Sequence, residues 1–236
     1  MADADRRGAD AVWNTGDWVG YNAFPDEVVR LLRSRTETSI SGNYDLKVLA
    51  FPAKAEKWRA SKHPLKYDSF RWSHEALSDS SREYLASLPT ELRFREGGRT
   101  ILICHGSPVS VEEHLYPHTP IERFRELAIE ADADIVVFGH SHIPFDLRAG
   151  DSWFINPGSV GRSDDGDPRA SYALLDLGGE EGLQHLRVKY PVARSAQEIE
   201  ERGLPPEFAE MIRKGRNLNW VLEAGAAIDS STGETG

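Results

Sequence analysis

Four pairs of neighbouring residues along the chain combine a glycine with a side chain that can bind a metal ion. They are Gly16-Asp17, Gly42-Asn43, His105-Gly106 and Gly139-His140, the last continued by Ser141-His142. Carboxylate, amide oxygen and imidazole together favour a borderline divalent ion such as Mn²⁺, Fe²⁺, Zn²⁺ or Ni²⁺ over Ca²⁺. A glycine beside each ligand lets the backbone turn sharply and approach an ion closely. The residue types therefore predict a divalent metal site.

Each pair follows an apolar segment that has the composition of a short β-strand. The four segments are residues 11–14, 38–40, 99–104 and 134–138. In an open α/β sheet the carboxyl ends of the strands line the crevice where ligands bind, so distant groups can converge there. An extended backbone through 140–142 would also place both imidazoles on one side of the strand. We therefore expect Asp17, Asn43, His105, His140 and His142 to lie close together.

Each pair taken alone has a plainer interpretation. A Gly-Asp pair is usually a turn, and a lone His-Gly is more often a loop histidine with ordinary hydrogen bonds. Four such pairs, each after a strand-like segment, favour the metal site over four unrelated turns.

Other polar residues leave two interpretations open. His114 and His118 either lie on the surface or line the mouth of the site, and Asn156 and Ser159 either form a structural turn or offer amides to a phosphate.

The remaining patterns predict one α/β domain over residues 1–222. Residues 50–98 are expected to form a mostly helical insertion, whose aromatic side chains either pack onto the main body or cover a substrate. Residues 223–236 are rich in Gly, Ala, Ser and Thr, which predicts a disordered tail. Further elements are expected as a helix opening at Pro25, a helix opening near Thr119, strands at 171–176 and 183–188, and helices near 196–202 and 206–214.

The composition restricts the classes of partner and location. Of 236 residues, 39% are apolar, so a sizeable core can form, and the net charge of -10 argues against binding of nucleic-acid polymers. No apolar run approaches the roughly 18 residues that a membrane span needs. The charged N-terminus lacks the apolar region of a signal peptide, and Cys104 is the single cysteine, which fits a reducing cytoplasm. No pattern indicates an oligomeric state.

The order and spacing of the glycine–ligand pairs resemble the calcineurin-like metallophosphoesterase superfamily, in particular its small bacterial and archaeal phosphodiesterase branch. The series Asn156-Pro157-Gly158-Ser159-Val160-Gly161 continues the resemblance, which extends over roughly residues 5–190. The resemblance implies a four-layer α/β/β/α sandwich and hydrolysis of a small phosphorylated substrate with two divalent ions, Mn²⁺ being favoured. It implies that Asp17 bridges both ions, that His142 serves one of them, and that Asn43, His105 and His140 complete the position of the other.

The sequence departs from the family pattern at its start. The family opens with a strand ending in Asp-x-His, which this sequence does not contain, and residue 1 falls about where the following helix should end. The first strand is therefore expected to be missing from the fold. Of the ligands for the second ion only Asp17 and His142 remain, so that position is expected to be weak or empty.

A second departure is Tyr44, which stands where many members of the family carry a histidine that assists the reaction. A phenol has a pKa of about 10 and is not a cation at neutral pH, but it can donate a hydrogen bond. Branches of the family with a different residue at this position are usually linked with phosphodiesters that carry good leaving groups, so the resemblance implies a substrate of that kind. The adjacent Asp45 is expected to orient neighbouring groups rather than to bind metal.

Three hypotheses follow for the function. The leading one is hydrolysis of a phosphate ester, more specifically a phosphodiester, by a metal-activated hydroxide. The second is a non-catalytic or impaired protein with one metal ion that binds a phosphorylated ligand or a partner. The third is that the recorded start is wrong and that the missing strand lies upstream of Met1.

Overall fold

The computed structural model describes residues 1–36, 38–178 and 182–232. The strands are β1 (Trp13–Asn14), β2 (Thr38–Ser39), β3 (Glu91–Glu96), β4 (Arg99–Cys104), β5 (Ile135–Val137), β6 (Phe145–Ala149), β7 (Ser152–Asn156), β8 (Ala170–Asp176) and β9 (Gly182–Val188). The helices are α1 (Ala2–Arg6), α2 (Pro25–Arg33), α3 (Asn43–Ser61), α4 (Pro64–Ala76), α5 (Asp79–Ser87), α6 (Ile121–Ala131), α7 (Val192–Glu201), α8 (Pro206–Lys214) and α9 (Leu218–Thr232).

A mixed five-stranded sheet with the order β3-β4-β5-β7-β6 occupies the centre of the fold. Its three inner strands are parallel, and the two edge strands pair antiparallel to their neighbours. Two shorter sheets accompany it, a parallel pair of β1 with β2 and an antiparallel pair of β8 with β9. The strands expected at 11–14 and 38–40 are thus present and lie side by side.

The inner strands are buried on both faces, and alternate residues belong to different cores. Leu102, Val136 and Phe154 pack with Phe124 and Leu127 of α6 on one face. The neighbouring positions on the other face pack against β1, β8 and β9; they include Ile101, Ile103, Ile135, Val137 and Ile155. The central sheet and the two shorter sheets therefore enclose one core, and helix α6 covers the outer side of the central sheet, in agreement with the predicted α/β/β/α sandwich.

Helices α2 to α5 form a separate apolar cluster next to the sheets. Trp58, Tyr67 and Phe70 belong to this cluster, which favours the packing interpretation of the insertion's aromatic residues over a cover for substrate. Trp72 packs instead in a further cluster with α7 and α8, and its indole N–H donates to the carbonyl of Asn22 at 3.2 Å.

The insertion differs from the expected helical segment 50–98 at both ends. Helix α3 begins at Asn43, directly at the expected metal site, and residues 91–96 form a strand that pairs along β4. Only Leu92 and Phe94 are apolar in this strand, and both pack into the core between the sheets. Charged residues alternate with these two apolar positions, which is the two-residue period of a strand, but it extends over only two apolar residues, so pairing with β4 decides the conformation.

The segment expected to be a disordered tail is helical as far as the structure describes it. Helix α9 continues to Thr232, and residues 233–236 lie outside the described residues. Leu218, Val221 and Leu222 anchor its first turns to the cluster around α8. Alanine has the highest helix propensity, so the alanines of 224–227 extend the helix once it has begun. No helix within the described ranges is long and apolar enough to cross a membrane.

Candidate metal centre

Three of the predicted ligands meet at the carboxyl ends of the strands. One ligand atom each of Asp17, His105 and His140 lies within 4.8 Å of the others. The Nε2 atom of His105 lies 3.4 Å from Oδ2 of Asp17 and 3.1 Å from Nδ1 of His140. Oδ1 of Asn43 lies 3.3 Å from the same Nε2. The four residues expected at the first metal position therefore surround one point.

The backbone at these ligands is bent rather than extended. Asp17, His140 and His142 have φ angles of 57°, 65° and 58°, in the left-handed region that is costly for residues with a Cβ atom. The expectation of an extended backbone through 140–142 is therefore wrong. Hydrogen bonds impose the turn instead, since Ser141 N–H donates to Gly139 O at 2.8 Å and Asn156 Nδ2 donates to the same oxygen at 2.9 Å. Strained ligands of this kind are typical of functional sites.

The glycines beside the ligands allow the close approach that the sequence predicts. A Cβ atom on Gly42 would lie 2.2 Å from Oδ1 of Asp17 and 2.8 Å from Cε1 of His105. Gly16 has a φ of 89°, and a Cβ atom there would lie 2.4 Å from the backbone nitrogen of Gly42. Neither position has room for a side chain, so the two loops carrying Asp17 and Asn43 can touch only because both residues are glycine.

The carboxylate of Asp17 sits at the N-terminus of α3. Its Oδ1 accepts a hydrogen bond of 2.8 Å from the backbone N–H of Tyr44, where the helix dipole favours negative charge. Burial opposes ionisation of Asp17, but the charge of His105 outweighs it and holds the pKa of Asp17 well below its usual range. Asp17 is therefore an anion at neutral pH.

The two imidazoles differ in their electrostatics: burial lowers the pKa of His105, but the charge and hydrogen bond of Asp17 outweigh it and raise that pKa above its usual value. Nδ1 of His105 lies 2.7 Å from the carbonyl oxygen of Thr15, so this nitrogen carries a proton, and Nε2 is the nitrogen that would bind a metal ion in place of its own proton. Burial, reinforced by His105 and His114, lowers the pKa of His140 to about 4. Nε2 of His140 is also buried without a hydrogen-bond partner. The nitrogen of His140 that faces the other ligands is Nδ1, 3.1 Å from Nε2 of His105, beside the carboxylate of Asp17 and the amide oxygen of Asn43. This set of donor atoms suits a borderline divalent cation, so the residues fit a divalent ion at this position.

Asn43 is oriented by a residue that sequence reasoning missed. Nδ2 of Asn43 donates to Oε2 of Glu112 at 2.9 Å, which leaves its Oδ1 facing His105. Lys47 in turn contacts Oε1 of Glu112 at 2.8 Å. Glu112 lies in the loop after β4, and no local pattern distinguishes it from other surface acids.

Asp45 plays the orienting role that was expected for it. Its carboxylate is fully buried and accepts four backbone N–H groups instead of facing the ligands. The donors are Asp17 (2.9 Å), Trp18 (2.9 Å), Val19 (3.2 Å) and Gly42 (2.8 Å). Asp45 thus joins the loop after β1 to the N-terminus of α3.

The hydroxyl of Tyr44 contacts the hydroxyl of Tyr21. Burial and the neighbouring Tyr21 raise the pKa of Tyr44 above its usual value, so the phenol stays protonated at neutral pH. Its assignment as a catalytic residue stays a prediction.

His142 is not among the ligand atoms that lie within 4.8 Å of one another, but it borders them, since Asp17 and His142 each shift the pKa of the other. Its Nδ1 lies 2.6 Å from the carbonyl oxygen of Arg162, and its Nε2 lies 3.5 Å from Nη2 of the same arginine. Burial, together with the charge of Arg162, lowers the pKa of His142 well below its usual value. A second cation would have to share this space with a guanidinium. The described residues therefore do not fit a second metal ion as they fit the first.

Contacts bear on the alternatives left open at Asn156, His114 and His118, and His114 is exposed as well as close to a ligand. Asn156 is fully buried and forms a structural turn, because its Oδ1 accepts from Gly158 N–H at 2.9 Å and its Nδ2 bonds the Gly139–His142 turn. The ring of His114 lies 3.8 Å, centroid to centroid, from that of His140, so His114 reaches the metal centre. His118 is exposed and stacks on Tyr116 at 5.2 Å.

A sequence profile of the calcineurin-like phosphoesterase superfamily domain matches residues 1–180. The chain belongs to this superfamily. The superfamily comprises metal-dependent hydrolases of phosphate esters, in agreement with the site of Asp17, His105 and His140.

Relatives and solved structures agree with this placement. A Methanocaldococcus jannaschii protein described as uncharacterized is 28% identical over 92% of this chain and 91% of its own length. A probable metallophosphoesterase of Methanothermobacter thermautotrophicus is 30% identical over 48% of this chain and 62% of its own length. The crystal structure of a metallophosphoesterase from Sphaerobacter thermophilus superimposes with a TM-score of 0.75 at 27% identity, over 91% of both chains. A hypothetical protein from Pyrococcus horikoshii shares the fold, with a TM-score of 0.81 at 21% identity over 91% of this chain and 89% of its own.

Proposed function

We propose that this protein hydrolyses a small phosphodiester with a divalent metal ion, Mn²⁺ being preferred, held by Asp17, Asn43, His105 and His140. The observation that carries the proposal is the convergence of these side chains on Nε2 of His105, with Oδ2 of Asp17 at 3.4 Å, Oδ1 of Asn43 at 3.3 Å and Nδ1 of His140 at 3.1 Å. The mixed carboxylate, amide and imidazole ligands suit Mn²⁺ and similar ions. When bound, such an ion supplies Lewis-acid stabilisation of phosphate charge and activates water.

The surrounding residues favour a substrate with a good leaving group, and the resemblance to the phosphodiesterase branch favours a diester among such substrates. The Tyr44 position offers a neutral phenol and no imidazolium, so it can donate a hydrogen bond but is a poor source of a proton for a leaving alkoxide. Burial likewise lowers the pKa of His114, so that imidazole is not a strong acid donor either. Substrates whose leaving group departs without protonation are therefore favoured.

The test compares two chromogenic substrates with the purified full chain. We expect Mn²⁺-dependent release of p-nitrophenolate from bis-p-nitrophenyl phosphate to exceed release from p-nitrophenyl phosphate. His140→Ala should lower the rate by more than about tenfold, since it removes a ligand. His185→Ala is the matched control, because His185 lies on β9 beside Asp146 and outside the site. A monoester preference would contradict the diester assignment.

A second candidate, a protein that binds a phosphorylated ligand without turnover, is favoured by one observation. The guanidinium of Arg162 occupies the surroundings of His142, where the family's second ion would need further ligands. Tight Mn²⁺ and phosphate binding without release of p-nitrophenolate from either substrate would support this candidate.

A further inference from the structure

Arg162 stands at the His142 side of the metal centre in a defined position. Its backbone N–H donates to Oγ of Ser159 at 3.0 Å, and its carbonyl oxygen accepts the bond from His142. Its guanidinium carbon lies 5.4 Å from the ring centroid of the buried Tyr21, at cation–π distance. The arginine therefore reaches the site with both its backbone and its side chain held.

No ion pair joins Arg162 to a carboxylate in the part of the chain that the structure describes, although three aspartates follow it. Each has other partners. Asp164 accepts from the backbone and side-chain N–H groups of Asn217, both at 2.7 Å. Asp165 pairs with Arg187, and Asp167 accepts from Nε of Arg169 at 2.9 Å.

These bonds explain why the aspartates of residues 164–167 form no ion pair with Arg162. The same bonds tie residues 164–167 to β9 and to the start of α9, away from His142. The half-buried guanidinium faces Nε2 of His142 and the ring of Tyr21, and its positive charge also acts on the nearby phenols of Tyr44 and Tyr116, opposing the rise of their pKa values. A cation in such surroundings gains most from an anion that enters the site, and a guanidinium matches two phosphate oxygens in a bidentate way.

We propose that Arg162 binds the phosphate group of substrate and product from the His142 side, and that the chain binds a single divalent ion. This inference rests on the proposed function, because the phosphate must lie between the guanidinium and the position formed by Asp17, Asn43, His105 and His140. The fixed charge of Arg162 takes the place that a second ion has in a two-metal site.

The test measures binding and requires no turnover. Isothermal titration of the full chain with Mn²⁺ should give one ion per chain, for the wild type and for Arg162→Gln at similar affinity. Inorganic phosphate titrated into both Mn²⁺-loaded proteins should bind Arg162→Gln about tenfold to a hundredfold more weakly, because charge-assisted hydrogen bonds are lost. Arg162→Lys should fall between the two, since it keeps the charge but not the planar fork.

Arg125→Gln is the matched control, because Arg125 is an exposed arginine of α6 that pairs only with Glu122 at 3.5 Å in the described contacts. Its phosphate affinity should equal that of the wild type. The backbone carbonyl that holds His142 is present in every variant, so a change in phosphate affinity reports the guanidinium itself.

Two Mn²⁺ ions per chain, or equal phosphate affinity of wild type and Arg162→Gln, would overturn the inference. If no Mn²⁺ binds and Arg162→Gln still weakens phosphate binding, the proposed function fails while the assignment of Arg162 as phosphate receptor is supported.

Discussion

A substitution at Asp45 tests what holds the loop of Asp17 against the N-terminus of α3, where Asn43 lies. The two oxygens of Asp45 accept four backbone N–H groups from two separate segments, residues 17–19 and Gly42. We predict that Asp45→Asn, which has nearly the same shape, lowers the free energy of unfolding and weakens Mn²⁺ binding. Binding weakens because Asp17 and Asn43 lose their common support.

The magnitude follows from the donors around Asp45. An asparagine keeps one oxygen and presents an NH₂ group to the other two backbone N–H groups, whichever way the amide is turned. Two hydrogen bonds to a charged acceptor are then lost, at about 1.5–3 kcal/mol each. Burial and the charge of Asp17 raise the pKa of Asp45 to about 7, and a neutral amide removes that repulsion. With this offset we expect a net loss of about 2–5 kcal/mol.

Urea denaturation followed by circular dichroism measures the loss in the metal-free protein, and titration calorimetry measures the affinity for Mn²⁺. Asp68→Asn is the matched control, since Asp68 is a partly exposed carboxylate of α4 that lies 3.5 Å from Arg71. It should change the free energy of unfolding by no more than about 0.5 kcal/mol. A loss below about 1 kcal/mol for Asp45→Asn, or unchanged Mn²⁺ affinity, would refute the reasoning.

Three further predictions concern separate parts of the molecule. Glu112→Ala frees the amide of Asn43 and should weaken Mn²⁺ binding about tenfold to a hundredfold by calorimetry, while Glu112→Gln should lose less. Hydrogen bonds from Ser81 and Ser78 lower the pKa of Asp26 to about 2. Because this folded-state pKa is depressed, the stabilisation is complete above the unfolded value near 4 and is lost as the pH falls through the folded value near 2, so urea unfolding should show that Asp26→Asn destabilises at pH 6 and about half as much at pH 3. Burial raises the pKa of the Cys104 thiol, so Ellman's reagent should react with Cys104 only after unfolding; rapid reaction of the native protein would contradict its burial.

The metal position was largely predictable because its requirements are local. A ligand that must approach an ion closely at the end of a strand needs a neighbouring residue without a side chain. A glycine is therefore adjacent to each of Asp17, Asn43, His105 and His140. Hydrophobic segments before these pairs reveal the strands, and parallel inner strands bring their carboxyl ends to one edge. The ligand, its neighbouring glycine and the preceding strand all lie within a few residues of each other, so a local sequence pattern is enough to predict them.

Other features depend on partners that are distant in sequence. Strand β3 exists because it pairs with β4, and α9 continues because its first turns are anchored on α8. Their own sequences are compatible with other conformations, so local patterns predict them poorly.

The same reason applies to the residues around the ligands. Glu112 meets Asn43 across 69 positions, and Arg162 meets His142 across 20, by way of loops whose course no periodic pattern reports. The left-handed turn at His140 and His142 is likewise imposed by the buried amide of Asn156. The sequence alone was thus sufficient for the type of chemistry and for the first metal position. Which side chains orient that position, and which cation faces His142, depends on contacts that arise only when the sheets and loops pack together.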